Sequence, residues 1–229
     1  NFNEWWETYD HDFSRVNYGL RLYQFNMRGR NETLRLTAQF GFQRRFELSY
    51  RFPYIDKKQK HGLIIDADFT ETKNLAFQTV DHRLEFLKAD NILRTTRGGG
   101  ITYTYRNSFY VSHALKIEYR SNNINDTIST LNTNYYGSDK IKQRYGMLTY
   151  QFISDHRDYV GYPLRGHYFT LIAARSGLAA KDDLKKWEAT VSYSIFRDLS
   201  RNFYISNNII GYISTPDDVP DANHGAMGY

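Results

Sequence analysis

Two aspartates, Asp66 and Asp68, stand two residues apart. On an extended chain that spacing puts both carboxylates on one face, where such a pair could share a proton or hold a divalent metal. The seven histidines offer no comparable arrangement: there is no His-x-His pair and no His-Glu-x-x-His run. With no Cys in the chain, thiolate nucleophiles, disulfides and Cys-type zinc sites are excluded. No Gly-x-Ser-x-Gly elbow presents a serine nucleophile. The run Gly98-Gly99-Gly100 opens an extended segment, so it reads as a flexible loop end or a small-residue stretch facing a lumen, not as a phosphate cradle. Asp66 and Asp68 themselves alternate with Leu63, Ile65, Ala67 and Phe69, which makes them members of a hydrated charge network on a polar strand face. The residues therefore predict no enzyme, and no catalytic, cofactor-binding or metal-binding residue.

The alternation that places those aspartates recurs along the chain. Trp187, Ala189, Val191, Tyr193 and Ile195 share one face of an extended segment, and Glu188, Thr190, Ser192 and Ser194 share the other. Leu34, Leu36, Ala38, Phe40 and Phe42 alternate with Arg35, Thr37, Gln39 and Gly41. Phe46, Leu48, Tyr50 and Phe52 alternate with Glu47, Ser49 and Arg51. Ile101, Tyr103 and Tyr105 follow the same rule, as do Leu115, Ile117 and Tyr119 against Lys116, Glu118 and Arg120. A strand with lipid on one side and water on the other has this pattern.

Composition supports the membrane reading. Among 229 residues, 20 are Tyr and 15 are Phe, yet the mean hydropathy is −0.66 and no apolar run approaches the roughly 18 residues that a membrane helix needs. Such a chain can cross a bilayer only as a barrel, whose backbone groups pair between strands. The net charge of +5 is spread over polar faces that also carry Asp and Glu, and it predicts no nucleic-acid partner. Periodicity does not tell inside from outside, so a soluble Tyr-rich sandwich or lipocalin-like barrel with an aromatic core remains an alternative at this point.

Alternation and turn signals predict eleven strands, near 16–26, 32–42, 44–52, 61–71, 76–87, 95–106, 109–121, 142–154, 166–176, 186–196 and 202–213. The connections at Phe42-Gln43-Arg44, Asn107-Ser108 and Asp198-Leu199-Ser200 are short, and 53–60, 122–141, 177–185 and the stretch after 214 are longer and polar. Connections 72–75 and 155–165 fall with the short set. Tight turns on one rim and long loops on the other are the habit of outer-membrane barrels, which close with even strand numbers. The odd count and the Gly-rich His224–Tyr229 tail therefore predict part of a larger barrel. The opening Asn1-Phe2-Asn3-Glu4-Trp5-Trp6 lacks the basic and apolar regions of a signal peptide.

The stretch Ser154-Asp155-His156-Arg157-Asp158-Tyr159-Val160-Gly161-Tyr162-Pro163-Leu164-Arg165-Gly166 resembles the Asp-x-Arg-Asp … Pro-x-x-Gly turn of the BamA/TamA outer-membrane assembly-factor superfamily, which joins the eighth and ninth barrel strands. Tyr18 to Leu34, with Asn26 before Arg28-Gly29, is similar to that family's first hairpin. Residues 223–229 fall where the family begins its long sixth outer loop. The resemblance implies an all-β fold: a transmembrane antiparallel barrel of about sixteen strands, of which roughly the first eleven lie in this chain. It implies a periplasmic lead-in at 1–15 from preceding POTRA domains, barrel strands over 16–213, and the start of an extracellular loop at 214–229.

The implied activity is folding and insertion of β-barrel clients in the outer membrane of a Gram-negative bacterium, without cofactor, through a lateral gate between the first and last strands. The gate strand is then Val16 to Asn26, with Tyr18, Gly19, Leu20, Leu22, Tyr23 and Phe25 as its candidate residues. Tyr18, Leu20 and Leu22 give way there to Tyr23 and Phe25 on the opposite parity, which marks either a bulged, adaptable edge or an aromatic belt at the rim. In the turn motif, Asp155, Arg157, Asp158, Pro163 and Gly166 read first as turn-building residues. The implied partners are outer-membrane lipids, unfolded barrel clients, and accessory lipoproteins or other periplasmic proteins. A passive solute channel, a pore dedicated to secreting one protein, and a barrel tethering a passenger domain are the competing functions.

Overall fold

The computed structural model describes residues 6, 7, 11, 13, 16–81, 83–138, 140–216 and 219–223. The alternating segments form twelve strands: β1 (Asn17–Met27), β2 (Glu32–Gly41), β3 (Gln43–Phe52), β4 (His61–Thr72), β5 (Asn74–Val80), β6 (Arg83–Lys88), β7 (Arg94–Arg106), β8 (Val111–Ile124), β9 (Lys142–Asp155), β10 (Gly166–Ser176), β11 (Lys186–Ser200) and β12 (Phe203–Thr215). One short helix, α1 (Asp126–Leu131), precedes β9. Ten strands make a single antiparallel sheet in the order β1-β2-β3-β4-β7-β8-β9-β10-β11-β12, and β5 pairs only with β6. Among the described residues β1 and β12 are the two edges, so the sheet is an open arc of a barrel wall.

Register carries the sequence alternation across the whole arc. Tyr50 lies opposite Ile65, Ile65 opposite Ile101, Ile101 opposite Ile117 and Ile117 opposite Leu148, one apolar row over five strands. That face is uncovered: Leu20 is 70% exposed, Ile117 54% and Ile213 68%. A soluble sandwich or lipocalin would bury such a face as its core, so its exposure over the full sheet fits lipid instead. The polar partners Arg35, Glu47, Asp66, Lys116 and Glu118 fall on the concave, lumenal side. The compact apolar core lies outside the wall. Leu75, Leu93, Ile124, Ile128, Tyr135 and Tyr136, with Phe77 and Leu87 against them, tie the β5–β6 hairpin to α1. Asn125 caps α1 by accepting from the Thr127 amide at 2.9 Å. Residues 219–223 fold back over this end, where Asp221 accepts from Asn132 at 2.8 Å and Asn134 at 3.1 Å.

The predicted strand at 76–87 is a hairpin, so ten strands cross the wall instead of eleven. Val80 pairs with Arg83 around a two-residue turn, and Asp81 has the positive φ of 47° that such a turn demands. Apolar residues continue through both arms, and that continuity hides the turn. β4 then pairs directly with β7. Losing one crossing reassigns every connection before it. Connections 28–31, 53–60, 107–110, 156–165 and 201–202 share one rim. Phe42, 73–93, 125–141, 177–185 and the segment after Thr215 share the other, so Phe42 belongs with the long loops and 53–60 with the short turns. Most of the lead-in at 1–15 and the tail 224–229 lie outside the described residues.

Candidate functional site

The gate candidate and the turn motif sit at opposite flanks of the same wall. Among the described residues β1 pairs as a strand with β2, where Tyr18 lies opposite Phe40, Leu20 opposite Ala38 and Leu22 opposite Leu36, all on the apolar face, and Asn17 Oδ1 also accepts from the Gln43 amide at 2.8 Å. Gly19 is opposite Gln39, and a Cβ on it would run into the Ala38 carbonyl and lie 2.9 Å from the Gln39 Cα, so β1 can approach β2 only with glycine there. Tyr23 faces the lumen opposite Arg35, and the register shifts between Gln24 and Met27. Asn26 takes a φ of 54°, and its Oδ1 accepts from the Asn31 amide at 2.9 Å. Tyr23 precedes this shift, so it is a lumen-facing aromatic in regular register, and the bulge follows it at the end of the strand. The Tyr23 and Phe25 rings stack at 5.7 Å beside it.

The motif residues build their own turn. Arg157 donates from Nε and Nη2 to both Asp155 oxygens, at 2.8 and 2.7 Å, and its guanidinium lies 4.6 Å over the Tyr168 ring. Asp158 Oδ1 accepts from the Tyr159 amide at 2.9 Å and the Leu164 amide at 3.0 Å, spanning the loop that contains Pro163. Backbone amides of Arg165, Leu164 and Tyr159 hold the Asp158 carboxyl below the usual aspartate range. Gly166 sits at φ +102°, where a Cβ would collide with the His156 carbonyl. Asp56 organises the turn at 53–60 on the same rim in the same way, accepting from the amides of Lys58, Lys60 and His61 and titrating below its ordinary value for that reason.

This turn joins β9 to β10, the seventh and eighth strands of the sheet, rather than the eighth and ninth. Counted back from it, β1 holds the second place and β12 the eleventh. Connection lengths agree, because the short-turn rim receives the far end of β1, and a first strand rising from the periplasm would end on the long-loop rim. The candidate residues Tyr18 to Phe25 thus stand one strand in from the place that the resemblance gives to the gate.

The lumen holds the charge network expected around Asp66 and Asp68, with its cations supplied by β8. Asp66 pairs with Lys116 at 3.3 Å and Asp68 with Arg120 at 3.1 Å, each across the intervening β7. Glu118, nearly buried, joins both cations, at 2.5 Å to Lys116 and 3.4 Å to Arg120. Gly98 and Gly100 lie between these strands on the same face, so the glycine run is a small-residue lumenal site and not a loop end. Asp66 and Asp68 are each occupied by a cation, and among the described residues no cluster of His, Asp and Glu is arranged to hold a metal. The parity of Gly98 and Gly100, between acids on one strand and bases on the next, was the signal.

A model of the Omp85 superfamily domain matches residues 26–221. The chain belongs to the Omp85 superfamily. Among solved structures, BamA from Haemophilus ducreyi lacking POTRA domains 1-3 superposes with a TM-score of 0.66 at 16% identity, over 87% of this chain and 40% of that one. That likeness is one of fold, and the present Omp85 chain spans well under half of the BamA chain it matches. No curated protein matches the sequence. Membership in the Omp85 superfamily implies the bacterial outer membrane as the place of this wall.

Proposed function

We propose that this Omp85 chain is the greater part of the barrel of an outer-membrane assembly factor, which folds and inserts client β-barrels by offering them an openable strand edge. The observation that carries this reading is the end of β1: Gly19 lets β1 close tightly on β2, and a register shift with Asn26 at φ 54° interrupts regular pairing before the turn. An edge freed when such a gate opens templates a further strand through its N–H and C=O groups. Following the strand count, the gate lies between the strand preceding β1 and the closing strand, with β1 as the template that holds the moving strand. The clients are unfolded barrel proteins, and neither nucleotide nor cofactor enters the cycle.

The test is reconstitution of the full-length protein in lipid vesicles with an unfolded outer-membrane barrel as client. Client folding should accelerate, and a disulfide joining the strand before β1 to the closing strand should abolish the acceleration until it is reduced. Steady ion conductance without acceleration would establish the passive-channel reading instead. The cap formed by β5, β6, α1 and residues 219–223 over the long-loop rim speaks against such an open pore.

A further inference from the structure

The two ends of the lipid-facing surface differ in charge. Toward the short-turn rim it carries hydrogen-bonding rings: His61 stacks on Tyr105 at 5.0 Å, Tyr105 on His113 at 5.9 Å, and His113 meets the Tyr150 hydroxyl at 2.8 Å. On this face Arg197 is the one Lys or Arg among the described residues at that end of β3, β4 and β7–β11, since Arg51 and Arg106 fall on the lumenal parity. Toward the long-loop rim the same face carries Arg44, Arg97, Lys142, Arg144 and Arg175. We infer that this outer end is a binding site for the phosphate groups of lipid headgroups, centred on Arg97, Arg144 and Lys142.

Register assembles the site. Arg97 lies opposite Ser121 and Ser121 opposite Arg144, which sets the two guanidinium-bearing strands two interstrand spacings apart, roughly 10 Å, with a hydroxyl between. One step farther out, Thr95 lies opposite Asn123 and Asn123 opposite Lys142. Three cations, two hydroxyls and an amide thus share one exposed patch. The acids nearby are engaged elsewhere: Glu71 pairs with Arg44 at 3.3 Å, and Asp183 pairs with Lys140 at 3.0 Å while also accepting from the Arg144 backbone amide. Among the described residues no carboxylate pairs with the side chain of Arg97, Arg144 or Lys142. Aromatic rings support the cations at the boundary of the apolar band, with Arg97 5.6 Å from the Phe69 centroid and, farther round, Arg175 4.9 Å from Trp187.

Cations at the edge of a lipid-facing apolar band are solvated by the headgroup layer, and guanidinium pairs are matched in geometry and charge to phosphate oxygens. A soluble anionic partner would need no apolar band below the patch. A lipid brings both the acyl chains for Phe69, Tyr119 and Ile101 and the phosphate for the cations above them. The inference rests on the reading of this face as membrane-spanning.

Full-length protein is placed in nanodiscs containing zwitterionic lipid with a minor fraction of either lipid A, a bisphosphorylated glycolipid, or phosphatidylglycerol. Retained lipid is then counted by native mass spectrometry. Retention of phosphate-bearing lipid should fall on the order of a hundredfold in affinity when Arg97, Lys142 and Arg144 are all changed to Gln, taking about one surface-charge contribution from each. Arg197→Gln should leave it unchanged. Preference for lipid A over phosphatidylglycerol would assign the source as outer-leaflet glycolipid, and the reverse would assign phospholipid. Equal retention by the triple variant, or equal loss with Arg197→Gln, overturns the site. Failure of the parent protein to enter nanodiscs at all would instead overturn the membrane-spanning reading.

Discussion

Arg120 Nη1 lies 3.1 Å from Asp68 Oδ2 although a whole strand separates β8 from β4, because Gly98 on that strand leaves the path between them open. Gly100 does the same for Lys116 and Asp66. The two glycines are not equivalent. A Cβ at Gly98 would meet only the ends of flexible side chains, Asp68 Oδ1 at 2.7 Å and Arg120 Nη1 at 2.9 Å. At Gly100 it would meet Glu118 Cβ and the Ile117 carbonyl, both at 2.8 Å and neither free to swing away. Gly100→Ala should destabilise the barrel by about 1–3 kcal/mol and Gly98→Ala by less than about 1 kcal/mol. Urea unfolding of the full-length protein from lipid vesicles checks the order, and equal losses would contradict it.

The turn after β9 should respond to acid. The folded turn holds the Asp158 carboxyl below its ordinary value by amide donation, so folding favours the ionised form. The contribution is therefore complete above the ordinary aspartate pKa of about 4, declines as the pH falls through it, and is gone once the pH has passed the lowered value. Amide hydrogen exchange at Tyr159 and Leu164, corrected for intrinsic rates, should lose protection over that window in the parent and show no such step in Asp158→Asn. Gly166→Ala should weaken the same turn at every pH, at a cost of about 1–3 kcal/mol from the left-handed backbone and the collision with His156.

Gly19 gives a local test of the β1 edge. Its Cβ would press on the backbone of β2 at Ala38 and Gln39, and backbone does not move as a side-chain tip does. Gly19→Val should therefore release β1 while leaving β8 to β11 paired. Exchange protection should fall at residues 17–24 and 34–40 and hold at 186–196. If β1 is the template of the proposed gate, client folding should slow in the same variant, and unchanged client folding with β1 released would remove β1 from that role.

The wall was legible in the sequence because lipid on one side and water on the other enforce a period of two, with no packed core to blur it. Gly166–Ser176 falls on its predicted boundaries for this reason. The hairpin at Asn74–Lys88 was not legible, because Leu75 and Phe77 on one arm and Leu84 and Leu87 on the other read as one continuing strand. The sequence between Val80 and Arg83 lacks the glycine that usually announces a two-residue turn. Half of the candidate site followed from that one omission. The turn motif kept its residues and its rim, whereas its place in the strand order moved by one.

The hairpin's other consequence is the apolar core it forms with α1. Ile128 is fully buried between them, and Leu93 and Ile124, which flank the ends of β7 and β8, complete the contact. Ile128→Ala should cost about 2–5 kcal/mol if the site cannot collapse. The loss should be confined to this unit, because β4 pairs with β7 without help from the hairpin. Exchange should rise at 74–93 and 126–136 while the strands of the wall keep their protection, and ion conductance of the reconstituted protein should rise as the cap loosens. A wall that lost protection together with the cap would show that the hairpin and α1 hold the barrel itself, and the cap would then be part of the fold instead of a cover placed on it.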